Sequence, residues 1–284
     1  GEPGQFSWPR GIAVAPDGPV YVADSQNNRI QRFSADGQFL SAWGSQGDCG
    51  AELLEPATFC EPCGVAVAPD GTVYVADTWA HRIQRFSADG TFLDEWGSYG
   101  MFDLGDPLGQ GAFYGPRALV VAADGTVYVS DTGNKRVQVF SAEGTFLREW
   151  GGSGPELGQL DEPVGLAVGP EGQVFVADSW NLRVQELTGA GTPLRSWPIV
   201  GWDNPQVEEK PYLAVDGTGR VIVTDPGHYR VLVFDATGEY QYSFGQFGFD
   251  ESSFGLPMGV AVGPDGTLYV TDAANNRVMT FDLP

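Results

Sequence analysis

One phrase recurs six times along the 284 residues: Pro-x-Gly-φ-Ala-Val-x-Pro-Asp-Gly-x-φ-Tyr-Val-Ala-Asp, four variable residues, then Arg-φ, where φ is apolar. Its closing carboxylate falls at Asp24, Asp77, Asp131, Asp178, Asp225 and Asp272, and an arginine follows five places on at Arg29, Arg82, Arg136, Arg183, Arg230 and Arg277. The steps between copies are 53, 54, 47, 47 and 47 residues. A fixed period of this length marks a repeat architecture in which each unit leans on its neighbours.

Each copy reads as β throughout. Val65-Ala66-Val67 leads to the turn Pro69-Asp70-Gly71, and Val73-Tyr74-Val75 is apolar and β-branched. After a short loop, Ile83–Phe86 alternates with period two, and Phe92–Trp96 follows the turn Ser87–Gly90. Four short strands with two apolar faces are not stable alone, so six such sheets pack face to face in a ring. The chain is expected to be all-β, a six-bladed β-propeller of four-stranded antiparallel blades, with residues 1–284 forming one domain.

The strings Tyr-Val-Ala-Asp and Asn27-Asn28-Arg29-Ile30 or Asn275-Asn276-Arg277-Val278, with the later Gly-x-Phe-Leu, resemble the NHL-repeat propellers over essentially the whole chain. The resemblance implies the fold and little about function, because that family includes enzymes, sensors, RNA binders and scaffolds. The sixth copy ends after its third strand, at Phe281–Pro284, and Gly1–Phe6 aligns with the loop Pro155–Leu160 rather than with a fourth strand. The last blade is therefore expected to lack its outer strand. The chain reads as a monomeric domain excised from a longer polypeptide.

Acidic residues outnumber basic ones 37 to 15, giving a net charge of −22. Polyanion binding needs a basic stripe, and none is visible, so nucleic acid is not an expected partner. No apolar run is long enough to span a bilayer. Cys49 and Cys60 lie in one extended loop and suit a loop-closing disulfide, which points to an extracytoplasmic or secreted setting. Cys60-Glu61-Pro62-Cys63 also has a redox or metal spacing, but it opens a strand and gains no helix dipole. A zinc site would need four ligands, with His81 the candidate to join the cysteines. The residues imply no cofactor, and a structural Ca²⁺ in the channel stays an open alternative.

The six Asp–Arg pairs are too regular to be one catalytic site and read as scaffold: the carboxylate accepts from the following turn's amides and the arginine fork binds it bidentately. Function is sought where the copies differ. After the repeated proline stand Arg10, Cys63, Arg117, Val164, Tyr212 and Met258, at the start of the strands that line the channel. Arg10 and Arg117 suit a carboxylate or phosphate, or else they pair with acids such as Glu61 or Glu162. Trp79, Trp180 and Tyr229 fall in loops of the same rim and suit a peptide or glycan, or pack against neighbouring blades. Tyr212, His228 and Tyr229 in the divergent fifth copy read either as an acid/base set or as repacking around Pro226. The connections before Pro62 and Pro116 are longer than the others, and with Phe102, Phe113 and Tyr114 they are expected to wall one side of a pocket.

Among related propellers, the peptidylglycine-amidating lyases hold a metal near the channel with several histidines, and gluconolactonase-like and strictosidine-synthase-like enzymes use channel carboxylates. This chain has two histidines, His81 and His228, placed in blades two and five, and its nearest channel carboxylate, Asp216, sits in a turn. The expected function is a non-enzymatic recognition domain that binds a peptide, glycan or protein on the loop rim. The alternative is a propeller enzyme of the lyase or lactonase type, metal-dependent or not, with its site near the channel mouth.

Overall fold

A computed structural model describes residues 1–50, 54–101, 109–199, 201 and 210–284. Its sheets form a six-bladed β-propeller. Blade one runs Pro9–Val14, Val20–Asp24, Arg29–Phe33 and Phe39–Trp43 in simple antiparallel order from the channel outward, and blades two to five repeat this order. Blade six has three strands, Pro257–Val262, Thr267–Asp272 and Arg277–Asp282. The Gly1–Gln5 segment occupies the inter-blade loop position read from the sequence. Arg29 donates to the carbonyls of Gly1, Glu2 and Gln5 as Arg183 does to those of Pro155, Glu156 and Gln159. Phe102 lies outside the described residues.

Burial follows strand position. The second strands, such as Val73–Asp77 and Val174–Asp178, are buried at every residue because both faces meet a neighbouring blade. The outermost strand Phe146–Gly151 alternates between half-buried and exposed, as a sheet edge in water should. The glycine of the repeated Pro-x-Gly has a steric cause. A Cβ on Gly11 would meet the Cys63 carbonyl at 2.5 Å, on Gly64 the Arg117 carbonyl at 2.7 Å, and on Gly259 the Arg10 carbonyl at 2.1 Å. Neighbouring first strands thus touch backbone to backbone, and the bore between them shrinks to a cavity of about 40 Å³. That space holds a water or two and no organic substrate.

The seams between blades repeat one contact. The fourth-strand tryptophan of one blade lies on the turn glycine of the next: Trp43 on Gly90, Trp96 on Gly144, Trp150 on Gly191 and Trp197 on Gly238. The tyrosine of the second strand crosses the same seam, with Tyr21 donating to the Ala88 carbonyl at 3.1 Å and Tyr74 to that of Ala142 at 2.9 Å.

The Asp–Arg pairs are built differently from the expectation. Asp77 accepts from the Cys60 amide at 2.6 Å, Asp131 from that of Tyr114 at 2.8 Å and Asp178 from that of Asp161 at 2.7 Å. Each of these donors lies 17 residues upstream, in the incoming loop, not in the following turn. The arginine binds the carboxylate through Nε alone, and Gln84, Gln138 or Gln185 adds a second donor. The guanidinium's other nitrogens hold carbonyls of the incoming loop, as Arg82 does at Thr58 and Arg136 at Ala112. The unit is a clamp that fastens each inter-blade loop to the blade it enters, and charge-assisted bonds make it strong. Burial pushes the Asp77 carboxyl up to about 6, against the pull of the Cys60 amide and Arg82.

Candidate functional site

The six residues after the repeated prolines form a ring at the channel mouth, and all of them are buried. Tyr212, from blade five, reaches across to blade two, where its hydroxyl donates to the Cys63 carbonyl at 3.3 Å. Arg10 lies beside it, with Nη1 on the Cys63 sulfur at 3.2 Å and Nη2 on Glu61 at 2.8 Å. Glu61 and Glu162 stand immediately before their prolines with φ of +55° and +50°, which turns them to their partners. Lys210 is fully buried, 3.4 Å from the Glu162 carboxylate and 5.0 Å above the Trp180 ring.

The two readings of the arginines therefore divide. Arg10 does pair with Glu61. Glu162 is taken by Lys210, and Arg117 has no hydrogen-bond or ion-pair partner among the described residues. A buried guanidinium without an anion is costly, so Arg117 marks the place where an anionic group would be bound most strongly. Burial raises the Tyr212 phenol above the usual tyrosine range, with Cys63 adding to the rise, while Arg10 and Arg117 oppose it. Burial would lower the Arg10 pKa, but Cys63, Tyr212 and Glu61 more than offset this and hold it well above the ordinary value. Burial lowers the Lys210 pKa, Glu162 resists the shift and Arg117 adds to it.

Trp79 and Trp180 are 41% and 44% exposed and are also anchored. The Trp79 indole donates to Glu61 at 3.0 Å, and Trp180 carries Lys210 on its face. Trp79 further lines a groove of about 510 Å³ with Cys49, Leu54, His81, Glu95 and Tyr99, beside the two longer connections. A disulfide between Cys49 and Cys60 closes one of those connections. Tyr114 stacks on His81, whereas Phe113 is core.

Tyr212, His228 and Tyr229 are not connected to one another by any hydrogen bond or ring contact among the described residues. His228 takes the place that Asn27, Asn181 and Asn275 hold in other blades, with Nδ1 3.1 Å from Asp225. Tyr229 has φ +56° and packs edge-on to Phe247 at 4.8 Å. Lys210 is the mouth residue that sequence reasoning passed over. Its signal was its rarity, since Lys135 and Lys210 are the chain's two lysines.

The expected donors do not fit a metal. The described residues hold no group of three or more His, Cys, Asp or Glu side chains placed for one. Nδ1 of His81 accepts from the Gly115 amide and His228 is on Asp225, while the bore is walled by glycines, aliphatic residues and Tyr212.

A closed ring of six such blades with a polar mouth is the architecture of a repeat propeller, and the chain belongs to the NHL-repeat family. The NHL repeat matches residues 6–33, 59–86, 113–140, 160–187 and 254–281, leaving the divergent fifth blade unmatched. Among curated proteins, the chain is 32% identical over 149 residues to peptidyl-glycine alpha-amidating monooxygenase B of Xenopus laevis, covering 51% of this chain and 16% of that protein. It is 30% identical over 152 residues to peptidyl-alpha-hydroxyglycine alpha-amidating lyase 1 of Drosophila melanogaster, covering 51% of this chain and 27% of the relative. A gluconolactonase structure from Xanthomonas campestris superposes with TM-score 0.71 at 18% identity, covering 99% of this chain and 87% of the other. The chain thus matches less than a third of these curated relatives' length. Such relatives overturn the expectation of a non-enzymatic binding domain. That expectation leaned on the scarcity of histidines and channel carboxylates.

Proposed function

We propose that the chain is a propeller enzyme of the lyase type that cleaves a small carboxylate-bearing group from the end of a longer substrate at the channel mouth. The observation that carries this reading is the buried Arg117, without a partner among the described residues and close enough to Tyr212 to oppose its rise in pKa, in a protein of net charge −22. The likeness to amidating lyases supports a peptide ending in α-hydroxyglycine as the substrate. Its carboxylate is held by Arg117, and the rest of the peptide runs over Trp79 into the neighbouring groove. Tyr212 holds its proton at neutral pH and donates it to the departing nitrogen as the C–N bond breaks. The electron pair of that bond goes to nitrogen, the α-carbon becomes a carbonyl, and the phenolate between two arginines recovers a proton from the α-hydroxyl. No step is routed through a metal, because the described residues do not supply its donor set. The Cys49–Cys60 disulfide supports an extracytoplasmic setting.

The test is turnover of a synthetic peptide ending in α-hydroxyglycine, followed by release of the peptide amide. Arg117→Ala is expected to lower kcat/KM by roughly 10²–10³-fold and Tyr212→Phe by a similar factor, mostly in kcat. Absence of turnover by the native chain refutes the lyase reading, as do wild-type rates in both variants.

A further inference from the structure

Blade two departs from its neighbours at three places whose side chains touch. Where blade one has Gln26, Asn28 and Gln46, and blade three Gly133, Lys135 and Ser153, blade two has Trp79, His81 and Tyr99. The backbone fixes them. His81 ends its turn at φ +55° with Nδ1 on the Gly115 amide. Tyr99 lies in the short strand Ser98–Tyr99, paired in parallel with Ala112–Phe113. Trp79 and Tyr99 each meet the imidazole edge to face, at 86° and 65°, with centroids 6.4 and 5.1 Å away. Tyr114 stacks on the same imidazole at 5.8 Å. Trp79 and Tyr99 stay 41% and 51% exposed, and with Leu54 and Cys49 they wall the groove of about 510 Å³.

We propose that this groove is the specificity site of the proposed reaction, taking an uncharged aromatic side chain carried within the three residues before the scissile bond. The inference rests on the lyase reading for the identity of the chain that enters. Charge defines the occupant. The carboxylates at the groove's border are already matched, Glu95 by Arg82 at 2.8 Å and Glu61 by Arg10 at 2.8 Å. Burial holds His81 below its ordinary pKa, so it is uncharged at neutral pH. Among the described residues the groove therefore offers ring faces and no free charge, which suits another ring packed edge to face rather than a basic side chain. Continuity with the mouth sets the position. The Trp79 indole donates to Glu61 at 3.0 Å, Glu61 holds Arg10, and Arg10 lies on Cys63, whose carbonyl takes the Tyr212 hydroxyl. The groove's wall is thus tied to the mouth through two side chains. Three extended residues span roughly 10 Å, the scale of that relay.

The probes are acetylated peptides of three alanines and a terminal glycine, with each alanine replaced in turn by phenylalanine or lysine, titrated calorimetrically against the whole chain at pH 7.5. The unmodified glycine carries the carboxylate without the hydroxyl, so binding is read apart from turnover. Phenylalanine at one of the three positions is expected to bind at least tenfold more tightly than alanine, the scale of burying one ring, and lysine to gain nothing. Tyr99→Ala should bring the phenylalanine peptide to the affinity of the alanine peptide, and Tyr99→Phe, which keeps the ring, should retain the gain. No binding of any peptide, no gain from phenylalanine, an equal or larger gain from lysine, or a gain that survives Tyr99→Ala overturns the proposal. The two readings fail separately. Aromatic selectivity in binding, without turnover of the matching α-hydroxyglycine peptide, supports the groove and removes the lyase. Turnover without selectivity overturns the groove alone.

Discussion

His81→Asn is the sharpest test of how one polar contact joins two blades. Asn28 accepts the Glu61 amide at 2.8 Å and Asn276 accepts the Trp8 amide at 2.8 Å, while His81 accepts the Gly115 amide through Nδ1 at 3.1 Å. All three side chains stand at positive φ, between 51° and 55°. The substitution therefore keeps the acceptor and its backbone and removes the titration. At pH 7.5 the variant should lie within about 1 kcal/mol of the native chain, since one neutral hydrogen bond replaces another. Burial lowers the His81 pKa below its ordinary 6.5, so as pH falls the unfolded chain takes up a proton that the folded chain resists. Stability from this residue is complete above the unfolded value and is lost as pH falls from there through the folded one. The slope is at most one proton, about 1.4 kcal/mol per pH unit. Urea denaturation of both proteins at intervals from pH 7.5 to 5 gives the difference directly, with the remaining carboxylates common to both. The native chain should lose ground to the variant steadily below pH 6.5. A difference that stays flat across that range refutes the buried-acceptor assignment, and so does a variant that loses more than about 2 kcal/mol at pH 7.5.

Trp150→Ala empties a filled seam and should cost about 3–5 kcal/mol in chemical denaturation, whereas the rim substitution Trp79→Ala should cost about 1 kcal/mol for its bond to Glu61. Gly11→Ala would force a Cβ to 2.5 Å from the Cys63 carbonyl and is expected to yield little folded protein by circular dichroism, while Gly217→Ala, with open space around it, should fold normally. Reducing Cys49–Cys60, which closes an 11-residue separation, should lower stability by about 3 kcal/mol on the chain-entropy estimate, measured as the shift of the urea midpoint with and without reductant.

The six copies made equivalence legible: which residues share a seam, which start a channel strand, and that blade six would stop at three strands. They did not reveal depth or direction. Asp77 and Arg82 repeat five residues apart, yet the partners that explain them, Cys60 and Thr58, lie in a loop whose sequence barely repeats, because only backbone atoms are used there. Tyr212 read as a rim residue, but blade five is one residue short at that point, and the side chain spans the mouth to reach Cys63. His228 looked chemically distinctive and proved to stand in for an asparagine on Asp225. Lys210 was hidden for a different reason. Its position above Trp180 depends on how blade five packs on blade four, which no local pattern records.

The joint between the last and first blades bears on how the whole disc comes apart. Four joints are pinned by an indole sunk into the adjoining sheet, and this one is held instead by the Tyr269 hydroxyl, the Thr271 hydroxyl on the Arg10 carbonyl, backbone contact between Gly259 and Arg10, the Trp8–Asn276 bond and an apolar cluster of Ile12, Val20, Val22 and Phe33 with Tyr269. Within residues 1–284, this joint and the one between blades five and six, where Phe244 packs on Phe281, lack such an indole among the described residues. They should be the first to part when a closed hoop opens into a stack. A residue or segment packed on the turn at Gly37, where nothing lies within 4 Å of a Cβ, would act as a buckle, raising the threshold for opening far from the mouth where the chemistry is proposed.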